Sequence, residues 1–286
     1  MLSDALAGQR PCENGMRDGS ARGTACDDRG LAPSGPGPRG LLCLARDPAV
    51  RAVSLDVYDT LLLRGWRPEL LRFRDIALAQ DAALRRAGLA SPGAEGLYRA
   101  RLRIQKACHD RVRGGPGEVR HAEVVGGICD VLVLDPAAEP VLAEAEIRYE
   151  TGAVRADPVM MAVATDLMGR KPVVLVSDMY LPATAVRRVL ATAAPTLADL
   201  PLFVSADVEL TKRHGALYGH VAAALDLEPR EILHVGDNPR ADVARAREAG
   251  LQAVWRPRPW WWRQCHRLAD GWVRWRLRRA GAIPRG

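Results

Sequence analysis

Between Arg51 and Val57 the chain reads RAVSLDV, β-branched and apolar without alternation, which is the pattern of a strand buried on both faces. The run ends in a turn, YDT, that leaves two carboxylates, Asp56 and Asp59, three residues apart. From about Trp66 to Val154 the apolar spacing changes to three and four, through ELLRFRDIALAQDAALRRAG, AEGLYRARLRIQKACHDRVRG, HAEVVGGICDVLVL and AEPVLAEAEIRYETG. Gly/Pro breaks at 92–93 and 114–117 divide this stretch into three or four helices, with no strand. From Asp157 the rhythm alternates. A helix (DPVMMAVATDLMGR) leads to a strand (PVVLVS, 172–177), a helix after Pro182 and a short strand (LFVSAD, 202–207). A helix (GALYGHVAAALDL), a strand (EILHVGD, 231–237), a helix (PRADVARAREAG) and a last strand (QAVWR) follow. Strands alternating with helices predict an α/β fold, a parallel sheet with helices on both faces. Ligands of such sheets bind beyond the carboxyl ends of the strands, where Asp56, Ser177 and Asp237 fall.

Outside this pattern the two ends of the chain differ from the body. Residues 1–47 mix Gly, Pro, Ser, Asp and Arg without an apolar period, so the expectation is a flexible segment; a start codon placed too far upstream would read the same way. Six cysteines are scattered, with no CxxC pair, as expected for reduced thiols in a cytoplasmic protein. No run approaches the roughly 18 apolar residues of a membrane span. The net charge of +7 is concentrated at one end. Residues 256–286 hold nine arginines and one acid, Asp270, which leaves 32 basic against 33 acidic residues elsewhere. The body therefore gives no support for a nucleic-acid partner. The end itself, RPRPWWWRQCHRLADGWVRWRLRR, holds five of the seven tryptophans. Trp262, Cys265, Leu268, Trp272 and Trp275 form a partial stripe at helical spacing. It fits first a helix docked on the body or a partner, since the first tryptophans directly follow the last strand, then one lying on a membrane surface, and third a nucleic-acid contact.

Four stations carry candidate chemistry: Asp56 after the first strand, Ser177 in VVLVSDM, Lys212 in TKRHGALY, and Asp237 with Asp242 in HVGDNPRAD. Each alone is an ordinary strand end, helix cap or surface lysine. Their order, on a βα rhythm, resembles the four motifs of the haloacid-dehalogenase-like (HAD) hydrolase superfamily, over about Ala52 to Trp255. SDMYLP and DVYDTLL are also like those of uncharacterised members associated with surface-polysaccharide gene sets. The resemblance implies a Rossmann-like core of residues 48–64 and 155–256, with an inserted helical cap at 65–154 and a separate tail at 257–286. It further implies Mg2+-dependent hydrolysis of a small phosphorylated metabolite. In that scheme Asp56 is the nucleophile, and the cation is held by Asp56, the Tyr58 carbonyl, Asp237 and Asp242. Ser177, Asp178, Thr60 and Arg64 would contact substrate, Ser177 and the following amides holding phosphate oxygens. Lys212 would neutralise charge in the transition state.

The first motif departs from the family pattern. Phosphatases of this superfamily carry an acid/base aspartate two residues after the nucleophile, in DxDxT, where this chain has Tyr58 and places Asp59 one position later. An aromatic there is a feature of the metal-independent 2-haloacid dehalogenases, and Lys212 with Tyr218 also resembles that branch. The two carboxylates of GDNPRAD favour a metal site and phosphate chemistry instead. A catalytically weak binding or scaffold module is the third reading. Either Asp59 or Tyr58 is the candidate proton donor. Among the remaining features, Arg99, Arg101, Arg103, Lys106, Arg111 and Arg113 form a basic row expected to be a solvated helix face. Arg64 and Arg67 stand closer to the first motif, and His121 and His214 are lone histidines of ordinary surface or core type.

Overall fold

The computed structural model describes residues 36–115 and 117–281. The expected flexible segment therefore lies mostly outside the described residues, but its end does not. Pro38–Ala45 form a helix, α1, in which Leu41 and Ala45 are buried in the main core beside Val163 and Leu167. Proline at the first helical position and the pair Leu41/Ala45, four apart, explain both the helix and its docking. The expectation of a flexible run to residue 47 is corrected here, because two apolar residues on one face suffice to anchor eight residues.

β1 (Ala52–Asp56) is buried at all five positions. β2 (Leu62–Arg64) follows, then four helices, α2 (Glu69–Arg86), α3 (Gly93–Val112), α4 (His121–Leu132) and α5 (Ala138–Ala153). β3 (Val154–Ala156) returns and pairs antiparallel with β2, a two-stranded neck that the helical periodicity did not reveal because three-residue strands carry no readable alternation. The remainder alternates as expected, through α6 (Pro158–Met168), β4 (Val173–Ser177), α7 (Ala183–Ala193) and β5 (Leu202–Val204). The chain turns helical at once in α8 (Ser205–Val208), so the predicted strand over 202–207 ends early. α9 (Ala216–Ala224), β6 (Ile232–Gly236), a π-helical segment at Pro239–Arg245 running into α10 (Ala246–Glu248), β7 (Gln252–Trp255) and α11 (Trp260–Arg279) complete the chain.

The sheet has the order β5-β4-β1-β6-β7 with every pairing parallel. Asp56 therefore ends the central strand, with Ser177 ending one neighbour and Asp237 just beyond the other. The helices α2–α5 enclose a core of their own, including Phe73, Ile76, Leu97, Val124, Ile128 and Leu142. This is the inserted cap, joined to the sheet through the neck.

Candidate active site

β1 delivers Asp56 into a tight turn. The amides of Leu61 and Leu62 both donate to the Val57 carbonyl, at 2.9 and 2.8 Å, and Asp59 sits in the left-handed region at φ 67°. Asp and Asn tolerate that region better than most residues, a local reason for an aspartate at this position. The turn sends Asp59 away from Asp56. Its carboxylate accepts from Arg64 Nε and Nη2, at 3.1 and 2.6 Å, and from Arg258 Nη2. Although burial raises the pKa of this carboxyl, the two guanidiniums outweigh it and hold the value at about 2. Asp59 is thus held as an ion-paired anion turned away from Asp56, an arrangement that does not favour its expected role as a catalytic acid. Arg64 is correspondingly engaged with Asp59 rather than free to reach a substrate, and its guanidinium lies 5.0 Å from the centre of the Tyr58 ring. The Tyr58 hydroxyl is buried without a partner, and burial, then the negative Glu150, push its pKa above the ordinary tyrosine range.

Lys212 joins the stations. Its ammonium donates to Asp56 Oδ1 at 2.5 Å and to Asp242 Oδ1 at 2.7 Å, and all three side chains are nearly inaccessible. Burial opposes the lysine charge, but Asp242 and Asp56 outweigh it and raise its pKa well above normal. The lysine is placed by Asp178, whose carboxylate accepts from the amides of Lys212, at 2.7 Å, and Arg213, at 3.1 Å. In this structure the Asp178 carboxylate is thus engaged in positioning the lysine loop. Ser177 stands buried at the strand end as expected. The amides proposed to follow it as phosphate donors are partly taken. Met179 N donates to Ser205 Oγ at 2.9 Å, and Ala183 N, at the start of α7, donates to Asp207 at 3.0 Å.

Asp242 is set by the π-helical segment, a geometry frequent at functional sites. Asn238 caps it, accepting from the amides of Arg240 and Ala241 at 3.0 Å, while Asn238 N donates to Asp242 Oδ2 at 2.9 Å. Gly236 is required beneath it, because a Cβ there would stand 2.3 Å from Asp242 Cγ. A further residue, His234, escaped the sequence reading. On β6 opposite Ser54 of β1, it is wholly buried, with Nδ1 2.8 Å from Ser54 Oγ and Nε2 3.3 Å from Asp242 Oδ1. A carboxylate can only accept, so Nε2 carries the proton and the serine hydroxyl donates to Nδ1. Burial lowers the His234 pKa, consistent with a neutral ring. The one signal available was a histidine inside the apolar strand EILHVGD.

One carboxylate oxygen from each of Asp56, Asp237 and Asp242 lies within 4.8 Å of the others. Burial and the neighbouring carboxylates raise Asp237 to about 8; Asp56 is raised to about 7 by burial, against the pull of Lys212. Asp242, also buried, is held below the usual range chiefly by Lys212 and then His234. Asp56 Oδ2 is buried with no hydrogen-bond partner, and so is Thr60 Oγ1. Three hard oxygen donors, one of them orphaned, in a site that strains to stay ionised fit a small divalent cation.

The segment expected to be a separate tail forms part of the site's surroundings. Arg258 reaches Asp59 and donates to the Arg64 carbonyl at 3.0 Å while lying 4.4 Å from the Trp262 ring centre. A cleft of about 810 Å³ beside the first motif is lined by Thr60, Arg64, Arg155, Arg256, Arg258 and Trp261 among others. A smaller one, about 280 Å³, borders Asp237, Arg263 and Arg267. In the basic row of α3, five residues are exposed as expected, but Arg101 is fully buried and donates to Glu146. His121 is buried too, 3.1 Å from the same carboxylate, whereas His214 is exposed and held by Thr211. Tyr180, in the loop after β4, donates to Glu146 at 2.6 Å and ties the cap to the sheet. Arg67 is exposed and pairs with Asp75.

Residues 210–256, which include Lys212, Asp237 and Asp242, match the family model described as HAD-hydrolase-like. No curated protein matches the chain. Among solved structures, the 2-haloacid dehalogenase from Pseudomonas syringae pv. tomato DC3000 aligns at 17% identity over 72% of this chain and 86% of that one, with a TM-score of 0.51. A HAD-like family hydrolase from Xanthomonas campestris aligns at 14% identity over 74% and 84%, TM-score 0.49. A predicted phosphoglycolate phosphatase from Haemophilus somnus 129PT aligns at 16% over 72% and 85%, TM-score 0.42. The five-stranded parallel sheet is thus similar to the fold of a HAD-like hydrolase, and the segment that carries Lys212, Asp237 and Asp242 matches the HAD-hydrolase-like family model.

Proposed function

We propose that the protein is a Mg2+-dependent phosphohydrolase acting on a phosphate monoester. The observation that carries this reading is the convergence of Asp56, Asp237 and Asp242 on one point, with Lys212 bridging two of them. Asp56, Asp237 and Asp242 would hold the cation, which when bound offsets carboxylate charge and draws phosphate oxygens into the site. Asp56, at the end of a rigid central strand, attacks phosphorus in line. The new O–P bond forms as the ester O–P bond breaks and the leaving oxygen takes its proton from water, giving an aspartyl phosphate that a second water hydrolyses to inorganic phosphate and the free carboxylate. The Lys212 ammonium, already 2.5 Å from Asp56 Oδ1, balances the charge gathering there. His234 and Asp242 keep that lysine in place from behind.

A second reading is favoured by one observation. Tyr58 occupies the expected acid position and Asp59 is turned away, as suits a metal-independent C–X hydrolase. The two readings part on one measurement. Hydrolysis of p-nitrophenyl phosphate should need Mg2+, stop with EDTA and fall below about one-thousandth in Asp56→Asn, since an amide cannot attack phosphorus. EDTA-resistant release of halide from 2-haloacids would instead establish the dehalogenase reading.

A further inference from the structure

Helix α11 has two apolar faces. At about 100° per residue, Trp262, His266, Ala269, Val273 and Leu277 share one side. That side is packed: Val273 is 3% exposed, and with Leu277 it joins the cap's core. Trp261, Cys265, Leu268, Trp272 and Trp275 fall within an arc of roughly 80°, centred about 120° around the helix from the packed side. There Trp261 is 52% exposed, Leu268 76%, Trp272 54% and Trp275 52%. Docking on the cap accounts for the first face and leaves the second in water.

The charges around the outer stripe identify what suits it. Residues 256–281 contain eight arginines against Asp270, which is itself paired with Arg274 at 2.7 Å. Arg267, Arg274 and Arg278 run along one flank of the stripe and Arg276 along the other, all of them exposed. The Arg276 and Arg279 guanidiniums lie over Trp272 and Trp275, 4.9 and 4.7 Å from the ring centres. Tryptophan settles where an apolar plane meets polar headgroups, and arginine can bury its stem while its head reaches lipid phosphate. The helix cannot cross a bilayer, since no described helix is long and apolar enough to do so.

We propose that α11 seats its outer stripe in the surface of an anionic membrane, with the flanking arginines on lipid phosphates. The attachment would hold the cleft lined by residues 256–263 close to the lipid surface. It stands independently of the reaction proposed above, because Leu268, Trp272 and Trp275, on which it rests, line neither cleft of the site.

The full-length protein should co-sediment with phosphatidylcholine vesicles containing about one third phosphatidylglycerol and not with phosphatidylcholine alone. Its tryptophan emission should move to shorter wavelength, and NaCl should reverse both effects. The triple variant Leu268→Ser, Trp272→Ser, Trp275→Ser, checked for unchanged melting, should bind at least about tenfold more weakly. The proposal is overturned if the wild type stays in solution with anionic vesicles at low salt. Equal binding by wild type and variant would overturn it too, leaving charge alone at work. So would concentration-dependent dimerisation that the same variant abolishes, since a second copy would then cover the stripe.

Discussion

Asp59 stands one position past the place where the superfamily's phosphatases keep their acid, and its surroundings decide what it does. Two arginines fix it as an anion, at about 2, so it carries no proton near neutrality. Asp59→Asn should slow turnover of p-nitrophenyl phosphate and of an alkyl phosphate by a similar factor. It should also lower stability by about 2–4 kcal/mol, because Arg258 and Arg64 lose a buried counter-charge. A loss confined to the alkyl ester, with its poor leaving group, would restore Asp59 as the acid. The proposed cation site makes a different prediction at the same scale. Asp56 and Asp237 rise in the folded state to about 7 and about 8 from 3.8. As pH climbs from about 4 to 8 the unfolded chain gives up these protons first, so their contribution to stability falls across that window. A divalent cation binds the ionised carboxylates, and the gain in Tm on adding Mg2+ should therefore grow from pH 5 to pH 8. A gain independent of pH would count against these carboxylates as ligands.

The π-helical segment is the element on which the site depends most. Its extra residue per turn brings Asp242 down over β6, onto Lys212 and His234, and the close approach is possible because position 236 has no side chain. Gly236→Ala should push the Asp242 carboxylate aside, costing about 1–3 kcal/mol of stability. The Mg2+ concentration for half-maximal activity should rise with it. Melting curves and a Mg2+ titration would check both, and an unchanged titration would remove Asp242 from the cation's shell. The neck of β2 and β3 plays a different part. It is short, carries Arg64 and Arg155 towards the cleft, and is the covalent link between cap and sheet.

Across the whole molecule, both ends of the described chain lean on the body. α1 packs beneath the sheet through Leu41, which is 1% exposed, and α11 packs on the cap through Val273. Leu41→Ala should cost about 2–4 kcal/mol, read as a lower Tm. A change within experimental error would show that α1 contributes nothing to stability.

The sequence by itself determined the parallel α/β sheet, the run of helices after its first strand and the strand ends that bear Asp56, Ser177 and Asp237. Each of these is written in local spacing: unbroken apolar runs for strands buried on both faces, periods of three and four for the cap helices, carboxylates where the runs stop. Tertiary structure alone decided which charged groups meet. Arg258 is 199 residues from Asp59, and His234 is 180 from Ser54. No local period encodes such pairings. Arg101 and Arg99 look alike in the sequence of α3, yet one is sealed against Glu146 and the other is exposed, because helix rotation against the cap core selects the buried arginine. Asp59 and Asp178 were legible as acids near the site but not in their roles. Those depend on which donors the folded chain turns towards each carboxylate, and desolvation then sets the proton affinity that results.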